Sequence, residues 1–324
     1  AIKAQAIASK NYVLTSSTKY LNWGFDVCNT TSSQVYGGLT AEVSAINQAI
    51  DEITGVVATH GGKVVPLYFH AHSGGITDDS ENVWNAELPY IRSTLDPNSI
   101  GFPNTNWTVS LNKADIAQRL IAGGYNIGSL TQINILERFE SGRVYKLEFV
   151  GSNGKVTLEK DKIRSVLGST VIKSLLFSFD EKTAVASLEQ FGMGQTQTAQ
   201  ETKSIQVVTD VPVVKLTQTG IYAEKVDANQ IKVTENGNDR IEVLDYNALQ
   251  NAQDIYSVQS VGSNPYLYKS TESIDITTNN VVFYGHGYGH GLGMSQWGAK
   301  KLAESGKTYI EILMFYFKDI QVNP

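Results

Sequence analysis

The chain is poor in cysteine, proline and positive charge. Its 324 residues include one cysteine, Cys28, and seven prolines. A single cysteine excludes an internal disulfide framework and any metal site that needs two or more cysteine ligands. Lysine and arginine total 26 against 32 aspartates and glutamates, which gives a net charge of -6. This balance offers no electrostatic basis for binding nucleic acid.

Long apolar runs are also absent from the sequence. No uninterrupted apolar stretch reaches about 18 residues, so we predict no membrane-spanning helix. The length fits one large domain with an insertion, or two domains, and a hydrophobic content of 41% is that of an ordinary globular protein. The mild negative charge is compatible with a neutral or zwitterionic polymer such as a glycan.

Hydrophobic periodicity predicts an α+β fold of mostly antiparallel strands with several short helices. A first helix begins at Ala1 with no residue before it to cap its first turn, so we expect that an upstream segment is missing. A second helix is capped by Thr40 and ends at Gly55, and a capping box of Thr308 and Glu311 opens the last helix. The stripes predicted to be buried are Ile2, Ala6, Ser9 and Val13; Val43, Ile46, Ile50 and Ile53; and Ile310, Leu313, Met314 and Phe317.

Two β-rich patterns lie between these helices. A hairpin is predicted to turn at Gly61 and Gly62, with Val64, Tyr68, His70 and His72 on one face of its second arm. Residues 133–168 read as a three-stranded meander followed by a short helix.

A polar, β-prone segment interrupts the chain before its last part. We predict that residues 181–280 form a β-rich insertion or small second domain, joined by a linker at 190–204. The core domain would then comprise residues 1–180 and 281–324.

The stretch FYGHGYGHGLGMSQWGA, residues 283–299, has glycine at every second position from 285 to 293. A dinucleotide-binding loop is excluded because no strand–helix–strand unit follows, and no GK[ST] ending marks a phosphate loop. If the segment is extended, His286, Tyr288 and His290 point to one side and the other face is bare glycine. Such a face lets another backbone or a flat ligand lie directly against it. The pattern therefore favours a tightly packed inner strand or a polymer groove.

Two catalytic alternatives involve the histidines. His70 and His72, together with His286 and His290, could converge on zinc, although neither motif contains a carboxylate at ligand spacing. His72 also stands beside Ser73, a candidate nucleophile. That serine is not in a G-x-S-x-G elbow, and adjacent side chains seldom face each other in a triad.

Four stretches carry a family resemblance. In chain order they are AIKAQAIASKNY, FDVCNTTSSQVYGG, PLYFHAHSGGITDDSENVWNAELPYIRS and YGHGYGHGLGMSQWGAKKLAESGKTYIEIL. They resemble the stage II sporulation protein D family, also called the amidase-enhancer family. The resemblance implies an extracellular or wall-associated protein of a Gram-positive type of bacterium. It also implies action on peptidoglycan glycan strands as a lytic transglycosylase or, alternatively, a non-catalytic role in binding peptidoglycan or activating a wall amidase.

The same resemblance implies the residues of the site. The family's catalytic glutamate lies in a Glu-Met-Pro segment upstream of the KAQA helix, hence before Ala1, so no catalytic residue is assigned in this chain. No cofactor is implied. The residues that match the family's substrate-binding pattern are Lys10, Tyr12, Gln34, Tyr36, His70, Ser73, His290 and Gln296.

Several positions depart from the family's pattern. Lys10 stands where the family has arginine, which keeps the charge but loses the bidentate fork. Residues 28–33 read CNTTSS where zinc-binding members have a CDTTHC-like segment, so we expect no metal there. Acids in or near the motifs are Asp26, Asp78, Asp79, Glu81 and Glu87. The run from Asp78 to Glu81 is predicted to be a solvated loop, and we assign it no catalytic role.

Overall fold

The computed structural model has the predicted α+β fold. It describes residues 1–16, 19–30, 32–84, 86–184, 270 and 272–323, together with the backbone of strands between 204 and 269. Contacts divide the chain into two compact units, Ala1–Gly194 with Ser260–Pro324, and Gln195–Gln259. The predicted linker lies outside the described residues as far as residue 203. The extent of the predicted insertion, 181–280, stays a prediction.

The described elements are short. The helices are α1 (Ile2–Thr15), α2 (Ser44–Asp51), α3 (Ser80–Trp84), α4 (Lys113–Ala122), α5 (Lys162–Leu167), α6 (Gln296–Glu304) and α7 (Tyr309–Tyr316). The strands are β1 (Val57–His60), β2 (Lys63–Val64), β3 (Phe69–His70), β4 (Asn106–Asn112), β5 (Leu130–Phe139), β6 (Val144–Gly151), β7 (Gly154–Glu159), β8 (Leu176–Ser178), β9 (Ser204–Ile205), β10 (Val213–Thr217), β11 (Gly220–Glu224), β12 (Ile231–Glu235), β13 (Asn238–Glu242), β14 (Leu267–Lys269), β15 (Ser273–Asp275), β16 (Asn280–His286), β17 (Met294–Ser295) and β18 (Gln321–Asn323). No helix within the described ranges is long and apolar enough to cross a membrane.

The first hydrophobic core is built on the predicted meander. Strands β5, β6 and β7 are antiparallel neighbours, and β14 and β15 both pair with β5. Ile133 pairs with Phe149, which pairs with Val156, so the alternating apolar residues of three strands share one face. Asn112 caps α4 by accepting a hydrogen bond from the backbone of Ala114 at 2.9 Å. A second sheet, β4–β16–β8, places the start of the glycine–histidine stretch against this core.

The second hydrophobic core surrounds α1. The predicted hairpin is confirmed, because β1 and β2 pair across Gly61 and Gly62, both with positive φ. Its second arm is shorter than predicted and breaks between Val64 and Phe69, where Pro66 has no N–H to donate to a ladder. Helices α6 and α7 close this core. Its members include Ala4, Ile7, Ala8, Leu67, Leu292, Met294, Leu313 and Phe317.

The predicted buried faces of the first two helices are wrong. In α1, the buried residues are Ala4, Ile7, Ala8 and Asn11, whereas Ile2 and Val13 are exposed. The helix contacts α2, α7 and β1. The face of α1 that these elements cover is the one whose small residues permit close approach. Helix α2 starts at Ser44 without a side-chain cap, and of its predicted stripe only Ile53 is buried.

The last helix has the predicted start and a rotated face. Thr308 and Glu311 form the reciprocal capping box of α7. Leu313 and Phe317 are buried as predicted, but Ile310 and Met314 are exposed. Their places in the core are taken by Ile312 and Tyr316, since α7 packs against both α1 and α6.

Candidate functional site

The glycine–histidine stretch stops being extended after His286, where β16 ends. The φ angles are 77° at Gly287, 124° at Gly289, 81° at Gly291 and 68° at Gly293. A residue with a Cβ atom is strained in this left-handed region. The alternating glycines are therefore needed to turn the chain repeatedly, and the extended form that the sequence suggested is limited to its first residues.

The same glycines are also pressed against other groups. A Cβ atom on Gly289 would lie 2.6 Å from Cβ of His70, and one on Gly291 would lie 2.5 Å from the guanidinium of Arg143. Added Cβ atoms on Gly285 and Gly293 would overlap Trp107 and the Tyr68 carbonyl, respectively. The predicted close packing of a bare backbone is confirmed, but its neighbours are protein groups.

This packing brings two distant motifs together. Strand β17 pairs with β3 in parallel, with Ser295 opposite His70. His72 and Tyr288 exchange two backbone hydrogen bonds of 2.9 and 2.8 Å. The backbone N–H of Asp78 donates to the Gly291 carbonyl at 2.8 Å. The segment from His70 to Asp78 is thereby held against the glycine turns.

The four histidines do not converge on one point. Both ring nitrogens of His72 have partners, because Nε2 meets Thr105 Oγ1 at 3.1 Å and Nδ1 accepts the Gly74 N–H at 2.9 Å. Both ring nitrogens of His286 are likewise engaged, by Asn106 and by the Ala184 carbonyl. Within the described residues, no group of three or more His, Cys, Asp or Glu is placed to hold a metal ion. The geometry does not support the four-histidine zinc site.

Burial keeps these imidazoles neutral. Desolvation lowers the pKa of His72 to about 4 and that of His290 to about 3. It also lowers the pKa of His70 and of His286, with the nearby His290 adding to the effect at His70. At neutral pH the site therefore presents uncharged imidazoles.

Hydrogen bonds also fix the tautomers. His70 Nδ1 lies 3.1 Å from the Leu292 carbonyl, which can only accept, so this nitrogen carries the proton. Its Nε2 is a buried acceptor for which the described residues provide no hydrogen-bond partner. His290 has the opposite tautomer, since its Nδ1 accepts the Leu292 N–H at 3.0 Å and leaves Nε2 protonated. Since the His290 ring is also hydrogen-bonded to the Phe69 backbone, the unused polar atom of this pair, among the described contacts, is Nε2 of His70.

Ser73 is not positioned as a nucleophile. It is fully buried, and its Oγ donates to Asp96 Oδ2 at 2.7 Å and contacts Ser99 Oγ at 2.8 Å. The Nε2 of the adjacent His72 is engaged by Thr105 instead. Burial raises the pKa of Asp96 to about 7, against the opposing effect of its hydroxyl partners. Ser73 therefore supports the loop from inside the protein.

The acidic run from Asp78 to Glu81 is not the solvated loop that the sequence suggested. Asp78 is buried and accepts hydrogen bonds from Asn82 and Ser141, each at 2.7 Å. Arg143 lies 3.8 Å away and supplies the counter-charge. Ser80 then begins α3, so the run is the anchored start of a helix.

An aromatic cluster lies at the surface beside these turns. It runs from Tyr12 through Tyr68, Trp84 and His290 to His70, with ring centroids 6.0, 4.3, 5.1 and 5.5 Å apart in that order. Three of the five rings belong to the predicted site, and the structure brings them together. Tyr68 and Trp84 were not among the predicted site residues, although Tyr68 was predicted to share a strand face with His70.

A row of amide side chains lies along the outer face of α1. Gln296 donates to Gln5 at 3.2 Å, Gln5 donates to Ser9 Oγ at 3.1 Å, and Gln34 donates to the Ser9 carbonyl at 2.9 Å. We call these four residues the amide row. The predicted Gln296 and Gln34 are thus linked, through residues that the sequence interpretation passed over. The predicted Tyr36 is exposed, and its backbone N–H bonds to Asn29.

An apolar groove of about 730 Å³ adjoins the amide row. The residues along it include Gln5, Ser9, Lys10, Ile46, Ile50, Ile53, Met294, Gln296 and Ala299. Ile46 and Ile50, predicted to be buried, are part of its wall. Lys10 donates to the Ile53 carbonyl at 3.0 Å. Six of the predicted site residues are therefore divided between the aromatic cluster and the groove with its amide row, whereas Ser73 and Tyr36 belong to neither. The pairing of Ser295 with His70 connects the two regions.

Two family models match parts of the chain. Residues 1–60 match the model described as stage II sporulation protein, and residues 98–196 match a domain of unknown function. The first match contains Lys10, Tyr12, Gln34 and Tyr36, and the groove-lining half of α1.

Relatives extend the similarity over the full chain. The amidase enhancer of Bacillus subtilis is 27% identical over 98% of this chain and 37% of its own length. An uncharacterized protein of Brachyspira hyodysenteriae is 26% identical over 99% of this chain and 61% of its own length. Stage II sporulation protein D of Bacillus subtilis is 20% identical over 100% of this chain and 68% of its own length. The chain thus spans less than two thirds of the first two relatives. The motifs, the family model over residues 1–60 and these relatives all support a relationship to the stage II sporulation protein D and amidase enhancer family.

Proposed function

We propose that this chain is a wall-associated, extracellular protein that binds the glycan strands of peptidoglycan. The observation that carries the proposal is the aromatic cluster beside the amide row. Aromatic faces pack on the apolar faces of sugar rings, while amide groups pair with hydroxyl and acetamido groups. A few placed polar groups among aromatic walls are the usual make-up of a small-molecule site.

The neutral histidines suit such a ligand. The His290 ring is held by the backbones of Leu292 and Phe69, and Nε2 of His70 is an acceptor without a partner among the described residues. Neither ring carries a charge at neutral pH, because burial lowers both pKa values. The site therefore favours hydroxyl and amide groups over strongly charged ligands.

We further propose that cleavage, where it occurs, follows the lytic transglycosylase reaction. A carboxylic acid protonates the glycosidic oxygen and then accepts the proton of the muramic acid 6-hydroxyl as that oxygen closes on C1. The aromatic cluster and the amide row contain no carboxylic acid. Asp78 and Asp96 are buried and bonded within the protein. By the family resemblance, we expect the acid in the segment upstream of the KAQA helix, and we propose that the aromatic cluster and the amide row bind and orient the strand.

Mass spectrometry of peptide-free glycan strands tests both parts. The strands are incubated with this chain and with a version extended upstream by the segment that carries the family's glutamate. Anhydro-muramic ends formed only by the extended version, and lost when its glutamate becomes glutamine, are the expected result. Equal cleavage by the glutamine variant would overturn the assignment of the acid.

Binding is measured separately by calorimetry with the same strands. Gln5→Ala and Gln296→Ala should each weaken affinity about threefold to tenfold, as loss of one hydrogen bond implies. Gln118→Ala, an exposed glutamine on α4, is the matched control. Unchanged affinity in both site variants would exclude the amide row from glycan binding.

A second candidate is a non-catalytic role as an activator of a wall amidase. The specific observation is Lys10, which replaces the family's arginine and bonds to the Ile53 carbonyl. Because its amine is engaged in this way, Lys10 is a weaker candidate for a cation that assists a catalytic carboxylic acid. The amidase-enhancer name of one relative points the same way. Faster release of peptide stems by a purified wall amidase when the chain is added, with no anhydro-muramic ends, would favour this role.

A further inference from the structure

We propose that Trp84 provides the sugar-stacking surface of this site and binds a pyranose ring of an N-acetylated glycan. The inference rests on the proposed glycan binding and goes beyond it, because it assigns a residue and a ligand face. A sugar ring exposes a patch of C–H bonds on one face, and the flat indole of tryptophan is the largest side chain that can cover such a patch.

The exposure of Trp84 distinguishes it from a core tryptophan. Trp84 is 40% exposed, whereas Trp107 is buried under Gly285 in the first core. Tyr68 meets the indole edge-on at 4.3 Å with an interplanar angle of 79°, and His290 lies 5.1 Å away at 49°. These contacts fix the orientation of the ring and still leave a large part of it in solvent.

The first anchor of Trp84 is the buried carboxylate of Asp78. The chain enters α3 there, and Asp78 Oδ1 accepts from Asn82, two residues before the tryptophan, at 2.7 Å. Its other oxygen accepts from Ser141 at 2.7 Å, and the Arg143 guanidinium is nearby. A helix of five residues is not stable alone, so this anchor holds α3 in place.

The second anchor is Arg92. Its guanidinium donates to both carboxylate oxygens of Glu81, at 2.8 and 2.6 Å, and to Ser80 Oγ at 3.0 Å. Lys160 donates to the Glu81 carbonyl at 2.7 Å. The helix is thus clamped on two sides, and the indole is held before any ligand arrives. Such preorganisation lowers the entropy cost of binding.

The test compares Trp84→Ala, Trp84→Phe and the control Trp23→Ala, since Trp23 is 79% exposed in a different segment. Calorimetry uses chitohexaose and peptide-free glycan strands with the full chain. Trp84→Ala should weaken binding about tenfold, which is a free-energy loss in the range measured for aromatic pairs. Trp84→Phe should stay within about threefold, and Trp23→Ala should match the unsubstituted chain.

A second readout does not depend on the fold of a variant. In the unsubstituted chain, the indole N–H resonance of Trp84 should shift on titration with chitohexaose while that of Trp107 stays fixed. If the unsubstituted chain binds neither ligand, the proposed function itself fails. If it binds but Trp84→Ala binds equally well, or the Trp84 resonance does not move, only the stacking role is overturned.

Discussion

The guanidinium of Arg143 packs against the backbone of Gly291 at the point where a side chain would begin. The guanidinium is buried, and it donates to the carbonyls of Ser73 and Ile76 at 2.8 and 2.7 Å. One arginine therefore joins the glycine turns to the loop after His72. Two of the four stretches that carry the family resemblance are held together by this contact.

Gly291→Ala should destabilise the protein by about 3 kcal/mol or more, since left-handed strain and overpacking against Arg143 add together. Gly306→Ala is the matched control, with φ of 89° and no atom within 4 Å of an added Cβ. It should cost about 1–2 kcal/mol from strain alone. Urea unfolding of both variants gives the difference, and equal losses would contradict the role of the Arg143 contact.

Asn11 is a second sensitive position, because its buried side chain satisfies three backbone groups. Its Nδ2 donates to the carbonyls of Ala58 and Val65 at 2.7 and 2.8 Å, and its Oδ1 accepts the Ala58 N–H at 3.0 Å. Asn11→Ala should lower the free energy of unfolding by about 2–4 kcal/mol by leaving these groups unpaired. Asn11→Asp should cost more, since it places an oxygen opposite two carbonyls. The control variant Asn280→Asp, at an exposed position, should change the free energy of unfolding by less than about 0.5 kcal/mol. An Asp variant as stable as the Ala variant would contradict this geometry.

Asp96 should make stability depend on pH. Burial raises its pKa from the ordinary 3.8 to about 7, so the folded state holds the proton more tightly than the unfolded chain. The contribution of the protonated Asp96 carboxyl to the stability of the fold is complete below about pH 4 and is lost as pH rises through 7. Between pH 4 and pH 8, the free energy of unfolding of Asp96→Asn should rise by at most about 4 kcal/mol relative to that of the unsubstituted protein. Urea unfolding at several pH values checks this, with Asp26→Asn as an exposed control. A stability difference that does not vary with pH would contradict the prediction.

The buried imidazoles should stay neutral well below the usual histidine range. Their lowered pKa values mean that the stabilising contribution of the neutral rings is complete above about pH 6.5. It is lost as pH falls towards about 4 for His72 and about 3 for His290. Long-range nitrogen–proton NMR at pH 6 should show Nδ1–H at His70 and Nε2–H at His72 and His290. A His72 ring that carries protons on both nitrogens at that pH would contradict its assigned burial and hydrogen bonds.

Local signals in the sequence predicted a large part of the fold. The capping box at Thr308 and Glu311, the hairpin turn at Gly61 and the meander that begins near Ile133 each depend on a few neighbouring residues. The faces of the helices could not be predicted in the same way. Ala4 and Ala8 are buried because three elements meet α1, and this depends on the rest of the chain.

The candidate site was predicted in part. The family resemblance selected His70 and His290, and the structure places their rings 5.5 Å apart. Trp84 and Gln5 could not be connected to them from the sequence, because their contacts require the pairing of β3 with β17. The role of Asp78 could not be predicted for a similar reason, since its counter-charge, Arg143, is distant in the sequence and lies just before β6.

The pairing of β3 with β17 also has a consequence during biosynthesis. His70 and Leu292, which share a hydrogen bond, are 222 residues apart in the chain. At the usual translation rate of about 5–20 residues per second, His70 leaves the ribosome about 10–45 s before its partner. During that interval the first motif has no glycine turns to pack against, so exposed Tyr68 and Trp84 are available to chaperones. The site can form only after the last part of the chain has been synthesised.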